Sequence, residues 1–400
     1  MRRLLLLPLL VVAACSDVPA ATVTPVPGSD AGATPVADAA APDAPPPPTA
    51  PVLTTVRVHY PAGLGALSIR GSIAPLDWNV SAPLVQDASD PTVWVFRANL
   101  EKPVELKPML GEVWSRGPNY AVAPHTTVDV YPRFSTVSGS FSKRFPAFTS
   151  TKLPSTRGLW VYLPPSYAEN TTARFPVLYM HDGQNLFDAQ QAFGGTEWKI
   201  DEAMNAGAED GSIRETIVVG VENNADRIAE YTPVADPSYG GGKGDAYLDM
   251  LTSEVKPLVD GALRTLTDRE HTGIMGSSLG GLISAWAGVG RGNVFGLVGI
   301  LSPSTWWNGT WLLGQVPSSK APRPLRVYLD SGNAGPSSDD VENTALLAGK
   351  YQALGYVEGA TFHYVVQNGA QHNETYWAQR APAALSFLLG PRDLVPTSGK

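Results

Sequence analysis

The chain has 400 residues, more than one hydrophobic core usually organises, so two domains and a tail are expected. Its net charge is only -8, and Asp17, Asp30, Asp38 and Asp43 all lie in one N-terminal stretch. No basic stripe exists to follow a phosphate backbone, which excludes nucleic acid as a partner class. The only cysteine is Cys15, so no internal disulfide can form.

Residues 1–14, "MRRLLLLPLLVVAA", place a basic start before an apolar run and two small residues, the layout of a secretory signal. The run is too short to span a bilayer. "VAAC" resembles a bacterial lipobox, and Cys15 falls where lipidation needs it. The expectation is an exported protein held at a membrane surface of the cell envelope, the outer membrane, by lipid on Cys15. An ordinary signal peptide with a coincidental cysteine is the alternative. Residues 15–52 are Ala, Pro, Asp and Thr with almost no large apolar side chain, ending in "APPPPTAP". Such a segment buries too little surface to offset its ordering entropy and is expected to be a disordered tether.

Over residues 53–134 the pattern changes to short β-rich runs, "TTVRVHY", "ALSIRGS", "TVWVFRANL", "VELKPML" and "TVDVYP", separated by Gly, Pro, Asn and Asp. That spacing, with no helix-length amphipathic segment, predicts a small all-β sandwich. Residues 145–390 alternate strand and helix. The candidate strands are "LWVYLP" (159–164), "PVLYMH" (176–181), "TIVVGV" (216–221), "TGIMG" (272–276), "LVGIL" (297–301), "LRVYLD" (325–330) and "TFHYVV" (361–366). Helical stretches such as "AYLDMLTSEVKPLVDGAL" and "VENTALLAGKYQALG" lie between them. Unbroken apolar strands between helices predict an α/β fold with a doubly wound, mostly parallel sheet. Residues 391–400 read as a tail, and no internal repeat is present.

The stretch "HTGIMGSSLGGLISAW" (271–286) runs from a buried strand through Gly276-Ser-Ser278-Leu-Gly280 into a helix. Gly-x-Ser-x-Gly alone is weak, but on a strand-to-helix corner it makes Ser278 a candidate nucleophile, with glycines where neighbouring turns crowd the bend. A serine hydroxyl needs a base. Of six histidines, His59, His181, His271 and His363 lie in or beside strands and His125 near an edge loop, positions that suit structure. His372 lies in the polar loop "QNGAQHNE" after the last strand and downstream of the serine, where chain order Ser, acid, His would place the base. The acid then falls within or after "LRVYLD", where Asp330, Asp339 and Asp340 compete. Asp339 is favoured, although Asp339 or Asp340 could simply cap a helix and Asp330 could simply fix the loop. The backbone N–H groups of Leu279, after the nucleophile, and Gln184, after Gly183 in "HDGQN", are the candidate oxyanion donors.

"PVLYMHDGQNLFD", "GSSLGG", "SPSTWW" and "GAQHNETYW", in that order, resemble the putative esterase family of the α/β-hydrolases, which includes esterase D, enterochelin esterases and feruloyl esterases. The likeness spans about residues 145–390. It implies a serine carboxylic-ester hydrolase with Ser278 as nucleophile, His372 as base and an acid in the loop carrying Asp339. It also implies that Arg227 and Tyr231 of "NADRIAEYTP" help shape the pocket. The family often has a short Gly-x-x-Asp or Gly-x-x-Glu at the acid, whereas here extra residues follow Gly332. An acyltransferase on the same scaffold differs only in its acceptor. An inactive carbohydrate-binding lipoprotein is the reading from another class.

In the N-terminal part, "RGSIAPLDW", "VELKPML" and "VWSRGPN" are similar in order and spacing to starch-binding carbohydrate modules. That likeness implies Trp78, Lys107 and Trp114, with Asn119 nearby, as a glucan-binding set; core or interface tryptophans are the alternative. Trp306 and Trp307 follow the strand after the nucleophile helix, where they either line an acyl or aromatic pocket or fill core. "SYGGGKGDAY" lacks the strand and Lys-Ser or Lys-Thr ending of a phosphate loop and reads as a mobile lid. No metal-ligand spacing is present, so neither metal nor cofactor is expected. The expected partner is a small-molecule or polysaccharide-linked ester.

Overall fold

The computed structural model describes residues 52–390; the signal segment, Cys15, nearly all of the tether and the tail lie outside the described residues. The N-terminal part consists of short strands: β1 (Thr54–His59), β2 (Leu67–Gly71), β3 (Ala82–Pro83), β4 (Val85–Gln86) and β5 (Val93–Ala98). They are followed by β6 (Val104–Leu110), β7 (Val113–Trp114), β8 (Tyr120–Val122) and β9 (Thr127–Val130). One sheet has the order β4-β5-β1-β9 and the other β3-β2-β6-β7, with β8 paired to β6. Side chains alternate in and out along β1 and β2. The inward set, Val56 and Val58 from one sheet with Ile69 and Leu106 from the other, forms one core.

Polar contacts seat this part on the chain that follows. Glu169 accepts hydrogen bonds from the Tyr60 hydroxyl at 2.8 Å and from the N–H groups of Phe134 and Ser135. Arg133 pairs with Glu209 at 2.8 Å and with Glu215 at 3.0 Å.

The larger part holds β10 (Ser140–Thr149), β11 (Thr156–Leu163), β12 (Val177–His181), β13 (Ile217–Val221), the short β14 (Ala235–Asp236) and β15 (Gly240–Gly241), and β16 (Thr272–Ser278). It ends with β17 (Leu297–Pro303), β18 (Arg326–Gly332) and β19 (Phe362–Gln367). Its helices are α1 (Ile200–Asp210), α2 (Arg227–Glu230), α3 (Gly244–Met250), α4 (Lys256–Ala262) and α5 (Leu279–Gly290). Then come α6 (Trp307–Thr310), α7 (Leu312–Gln315), α8 (Val341–Ala353) and α9 (Glu374–Leu389).

Eight strands form one sheet in the order β10-β11-β13-β12-β16-β17-β18-β19. From β13 to β19 neighbours are parallel. The β10–β11 and β11–β13 pairs are antiparallel, so the sheet is mixed at that edge. Strand β10 escaped the sequence reading because "SFSKRFPAFT" lies at the edge with hardly a buried residue and no apolar alternation, Lys143 and Arg144 guarding it. Side chains on both faces are buried. Tyr179 of β12 belongs to one core with Tyr247, Leu248, Ile283 and Leu347 from α3, α5 and α8. Its neighbours Leu178 and Met180 belong to a second core with Met204 and Leu385 from α1 and α9. The carboxyl ends of β16, β17, β18 and β19 therefore open side by side at one edge, where the connecting loops meet.

Candidate active site

Ser278 ends β16 and precedes α5 with φ 59° and ψ -124°, a conformation that costs a non-glycine residue about 1–3 kcal/mol and persists only where its surroundings impose it. Those surroundings are tight. A Cβ on Gly276 would lie 2.8 Å from Cδ2 of His181, and one on Gly280 would lie 3.3 Å from its Cβ. The bend leaves the Ser278 hydroxyl in a cavity of about 480 Å³ that is also lined by His372, Ser304, Tyr239, Trp306, Ser337 and Asp340.

His372 comes from the loop between β19 and α9. Its Nε2 is 2.9 Å from Oγ of Ser278, and its Nδ1 is 2.5 Å from Oδ1 of Asp339. Asp339 is fully buried. It sits in a run of three left-handed residues, Ser338, Asp339 and Asp340, with φ of 47°, 50° and 53°. Outside glycine, Asp and Asn tolerate this region best. Burial by itself would raise the Asp339 carboxyl, but hydrogen bonds from His372, Ser302 and the Gly332 N–H outweigh it and hold the group below its ordinary value.

The three competing aspartates thus take different partners. Asp330 is buried at the end of β18 in an ion pair with Arg380 at 2.9 Å, and burial pushes its carboxyl up to about 6 in spite of that cation. Asp340 accepts the Trp306 N–H at 3.0 Å and the Asn343 amide at 2.7 Å. It occupies the N-cap position of α8, yet its side chain makes no cap bond there.

The loop after β12 carries Gln184. Asp182 adopts φ 55°, and a Cβ on Gly183 would fall 2.4 Å from the backbone of Gly220, so glycine is required for the chain to turn there. Leu279 and Gln184 stand in the opening turns of α5 and of a short 3₁₀ segment, where N–H groups lack intrahelical acceptors. Arg227 grips the Asp182 carboxylate at 2.7 and 2.8 Å, and the Tyr231 hydroxyl accepts the Asp182 N–H at 3.1 Å. Neither lines the cavity. They brace the turn that carries Gln184.

Behind that turn His181 is buried, with Nδ1 2.9 Å from the Tyr247 hydroxyl. Burial drops its pKa from 6.5 to about 3. Between those values the unfolded chain binds more protons than the folded one, so stability must fall as pH drops below about 6.5, by up to about 1.4 kcal/mol per unit. From pH 7 to pH 5, denaturant titration should show wild type losing about 2 kcal/mol more than His181→Gln. Parallel losses in the two proteins would contradict this account.

The structure separates the tryptophans that sequence left open. Trp306 is 41% exposed and lines the cavity, 5.6 Å from the Tyr239 ring in an edge-on arrangement. Trp307 is core, buried to 3% exposure with its indole N–H on the Val234 carbonyl at 2.8 Å. The Gly-rich segment read as a mobile lid forms the β14–β15 hairpin, fastened by the Gly242 N–H on the Thr232 hydroxyl at 3.0 Å and by the Asn308 N–H on Asp236 at 3.2 Å. It presents Tyr239 to the cavity.

Three residues escaped the sequence reading. Ser304, whose hydroxyl is 3.5 Å from that of Ser278, sat inside a motif noticed for its tryptophans. Ser302, from the same motif, and Arg380 meet behind Asp339, and nothing local marks a single helical arginine.

In the N-terminal part, Trp78 and Trp114 lie side by side at the surface with centroids 6.2 Å apart, and the Arg70 guanidinium sits 5.0 Å over Trp114. Lys107 turns its ammonium to the Gly117 carbonyl at 2.7 Å, and Asn119 donates to Glu105 at 3.1 Å.

Comparison with known proteins adds the following. A family model, Esterase, described as "Putative esterase", matches residues 150–388. A Bacillus subtilis protein, YbbA, itself described as uncharacterized, is 28% identical over 246 residues, 58% of this chain and 93% of that protein. The enterobactin esterase FES from Shigella flexneri, solved in the presence of enterobactin, aligns with a TM-score of 0.50 at 15% identity, covering 84% of this chain and 92% of that one. An IroE-like serine hydrolase from Shewanella oneidensis aligns with a TM-score of 0.49 at 20% identity, covering 63% of this chain and 80% of that one. The likeness to the Shigella protein is one of fold, an α/β-hydrolase-like arrangement.

Proposed function

The chain belongs to the Esterase family of carboxylic ester hydrolases, and from that premise we propose that it cleaves small-molecule esters through an acyl-enzyme on Ser278. His372 takes the Ser278 proton as the hydroxyl attacks the ester carbonyl, then returns it to the departing alcohol. Asp339 holds the imidazole in the tautomer that leaves Nε2 free to accept and stabilises the imidazolium once formed. The N–H groups of Leu279 and Gln184 receive the oxyanion, and each such donor is worth a factor of about 100 to 1,000 in rate. Water activated by His372 then frees the acid.

The observation that carries this reading is the imidazole between a strained serine and a buried carboxylate, at 2.9 and 2.5 Å. The aromatic wall of Tyr239 and Trp306 supports an apolar or planar group on the substrate. A fluorophosphonate probe, which reacts with activated serines, should label the wild-type chain at Ser278 and leave Ser278→Ala unlabelled. Absence of labelling in both would sink the reading and favour a binding protein. Assays with and without added alcohol separate hydrolysis from acyl transfer: ester formation that outruns acid release would make the chain a transferase.

The signal-like start and "VAAC" support export and anchoring through lipid on Cys15. The paired Trp78 and Trp114 support a sugar-binding face on the N-terminal part, because indoles stack on the apolar faces of sugar rings. Wild-type chain should be retarded on a glucan affinity gel, and Trp78→Ala should elute with the void; equal elution of both would remove the sugar role.

A further inference from the structure

Two fully buried carboxylates, Asp330 and Asp339, lie beside one buried guanidinium, that of Arg380 on α9. Arg380 reaches four groups from four places in the fold. Its Nε pairs with Asp330 of β18 at 2.9 Å, and its Nη1 donates to Gln367 of β19 at 3.1 Å. Its Nη2 donates to the Ser302 hydroxyl of β17 at 2.6 Å and stands 3.8 Å from Oδ2 of Asp339. Ser302, held at φ 38°, is 2.6 Å from the same Oδ2.

Guanidinium has donors only, so the Ser302 oxygen must accept from Arg380, and its single proton can then point only at Asp339. Oδ2 of Asp339 is thereby filled by Ser302 and the Gly332 N–H, leaving Oδ1 for His372. Arg380 thus donates to Ser302 and Ser302 to Asp339, and Asp339 accepts from His372 on its other oxygen.

We propose that Arg380 is a positioning residue of the hydrolytic site, acting through Ser302 to keep Asp339 ionised and aimed at His372. The inference rests on the reading of Ser278, His372 and Asp339 as the reacting set. It does not make Arg380 catalytic, since Arg380 does not line the cavity.

The charge environment gives the direction of the effect. His372 faces Asp339 and Asp340 from the turn before α8, Ser278 from the start of α5, and the edge of Trp377 from α9. Arg380 is the cation facing Asp339, while Asp330 and Tyr328 of β18 lie on its far side. Removing Arg380 or the Ser302 hydroxyl strips positive potential or a donor from Asp339. The carboxylate then holds the imidazolium more firmly, and the acidic limb of kcat/KM moves to higher pH.

The test measures pH profiles of kcat/KM on p-nitrophenyl acetate for full-length wild type, Ser302→Ala, Arg380→Met, Arg380→Lys and the Ser302→Ala/Arg380→Met double variant. Each single removal should lower the plateau by about 10- to 100-fold and raise the acidic limb by about half a pH unit or more. Arg380→Lys should recover part of both. In the Ser302→Ala background, Arg380→Met should cost less than about threefold, because the path it acts through is already gone. An unmoved limb, or full additivity of the two losses, overturns the inference. Should Arg380→Met fail to fold, Ser302→Ala and Arg380→Lys decide alone, and a Ser302→Ala profile superimposable on wild type is the overturning result. Fluorophosphonate labelling of wild type at Ser278 keeps the cases apart. Without it the reading of the site fails, and with it only the role of Arg380 is at stake.

Discussion

Ser278→Ala is expected to lower kcat on an activated ester by about 10⁴- to 10⁶-fold while leaving the fold intact. The expectation of retained structure comes from the backbone. Ser278 already occupies φ 59° and ψ -124°, and alanine carries the same Cβ into that bend without adding atoms. What disappears is the hydroxyl facing Nε2 of His372. Residual rate over buffer would come from the oxyanion donors and binding alone. Steady-state kinetics with a thermal melt on the same preparation checks both halves. A folded variant that keeps a tenth of the wild-type rate would show that the nucleophile lies elsewhere, and the nearby Ser304 would be the first residue to examine.

Asp339→Asn should cost about 10³- to 10⁴-fold in kcat, against less than about tenfold for Asp330→Asn or Asp340→Asn. The asymmetry follows from donors and acceptors. Oδ2 of Asp339 faces two donors, the Ser302 hydroxyl and the Gly332 N–H, so an amide there must turn its oxygen toward them. Its NH₂ then points at Nδ1 of His372, which can accept only by placing the ring proton on Nε2, toward Ser278. The base is lost through the wrong tautomer although every heavy atom stays in place. Asp340 engages Trp306 and Asn343, and Asp330 engages Arg380, so their amides should disturb the pocket wall or stability more than proton transfer. A larger rate loss from Asp340→Asn than from Asp339→Asn would reassign the acid.

Much of the larger part was legible because its strands are buried on both faces and so read as unbroken apolar runs, as "TIVVGV" and "LVGIL" do. The same rule hid β10, an edge strand with no fully buried residue, whose Phe145 and Phe148 are only partly buried against the core. Ser278 was legible because a strand-to-helix bend crowded by His181 forces glycine at 276, a steric demand that shows as letters. The choice among Asp330, Asp339 and Asp340 was not, since all three lie within eleven residues of one another, one near the end of a strand and two in the loop after it, and chain order suits each. Asp330 and Asp339 are both buried, and it is Asp339, within three consecutive left-handed residues, that meets His372. Arg227 and Tyr231 illustrate the opposite case, motif residues whose place beside Asp182 makes them braces for a turn.

By itself the sequence determined the alternation of strands and helices, the corner at Ser278 and the loop that brings His372, because backbone period and steric crowding act between near neighbours. Only the tertiary structure decided which carboxylate meets the imidazole, which of two adjacent tryptophans faces the cavity, and that Arg380 stands behind Asp339. Those outcomes depend on side chains 33, 37 and 78 residues apart meeting at the ends of neighbouring strands. The order in which the sheet stacks its strands sets such meetings, and no local pattern records it.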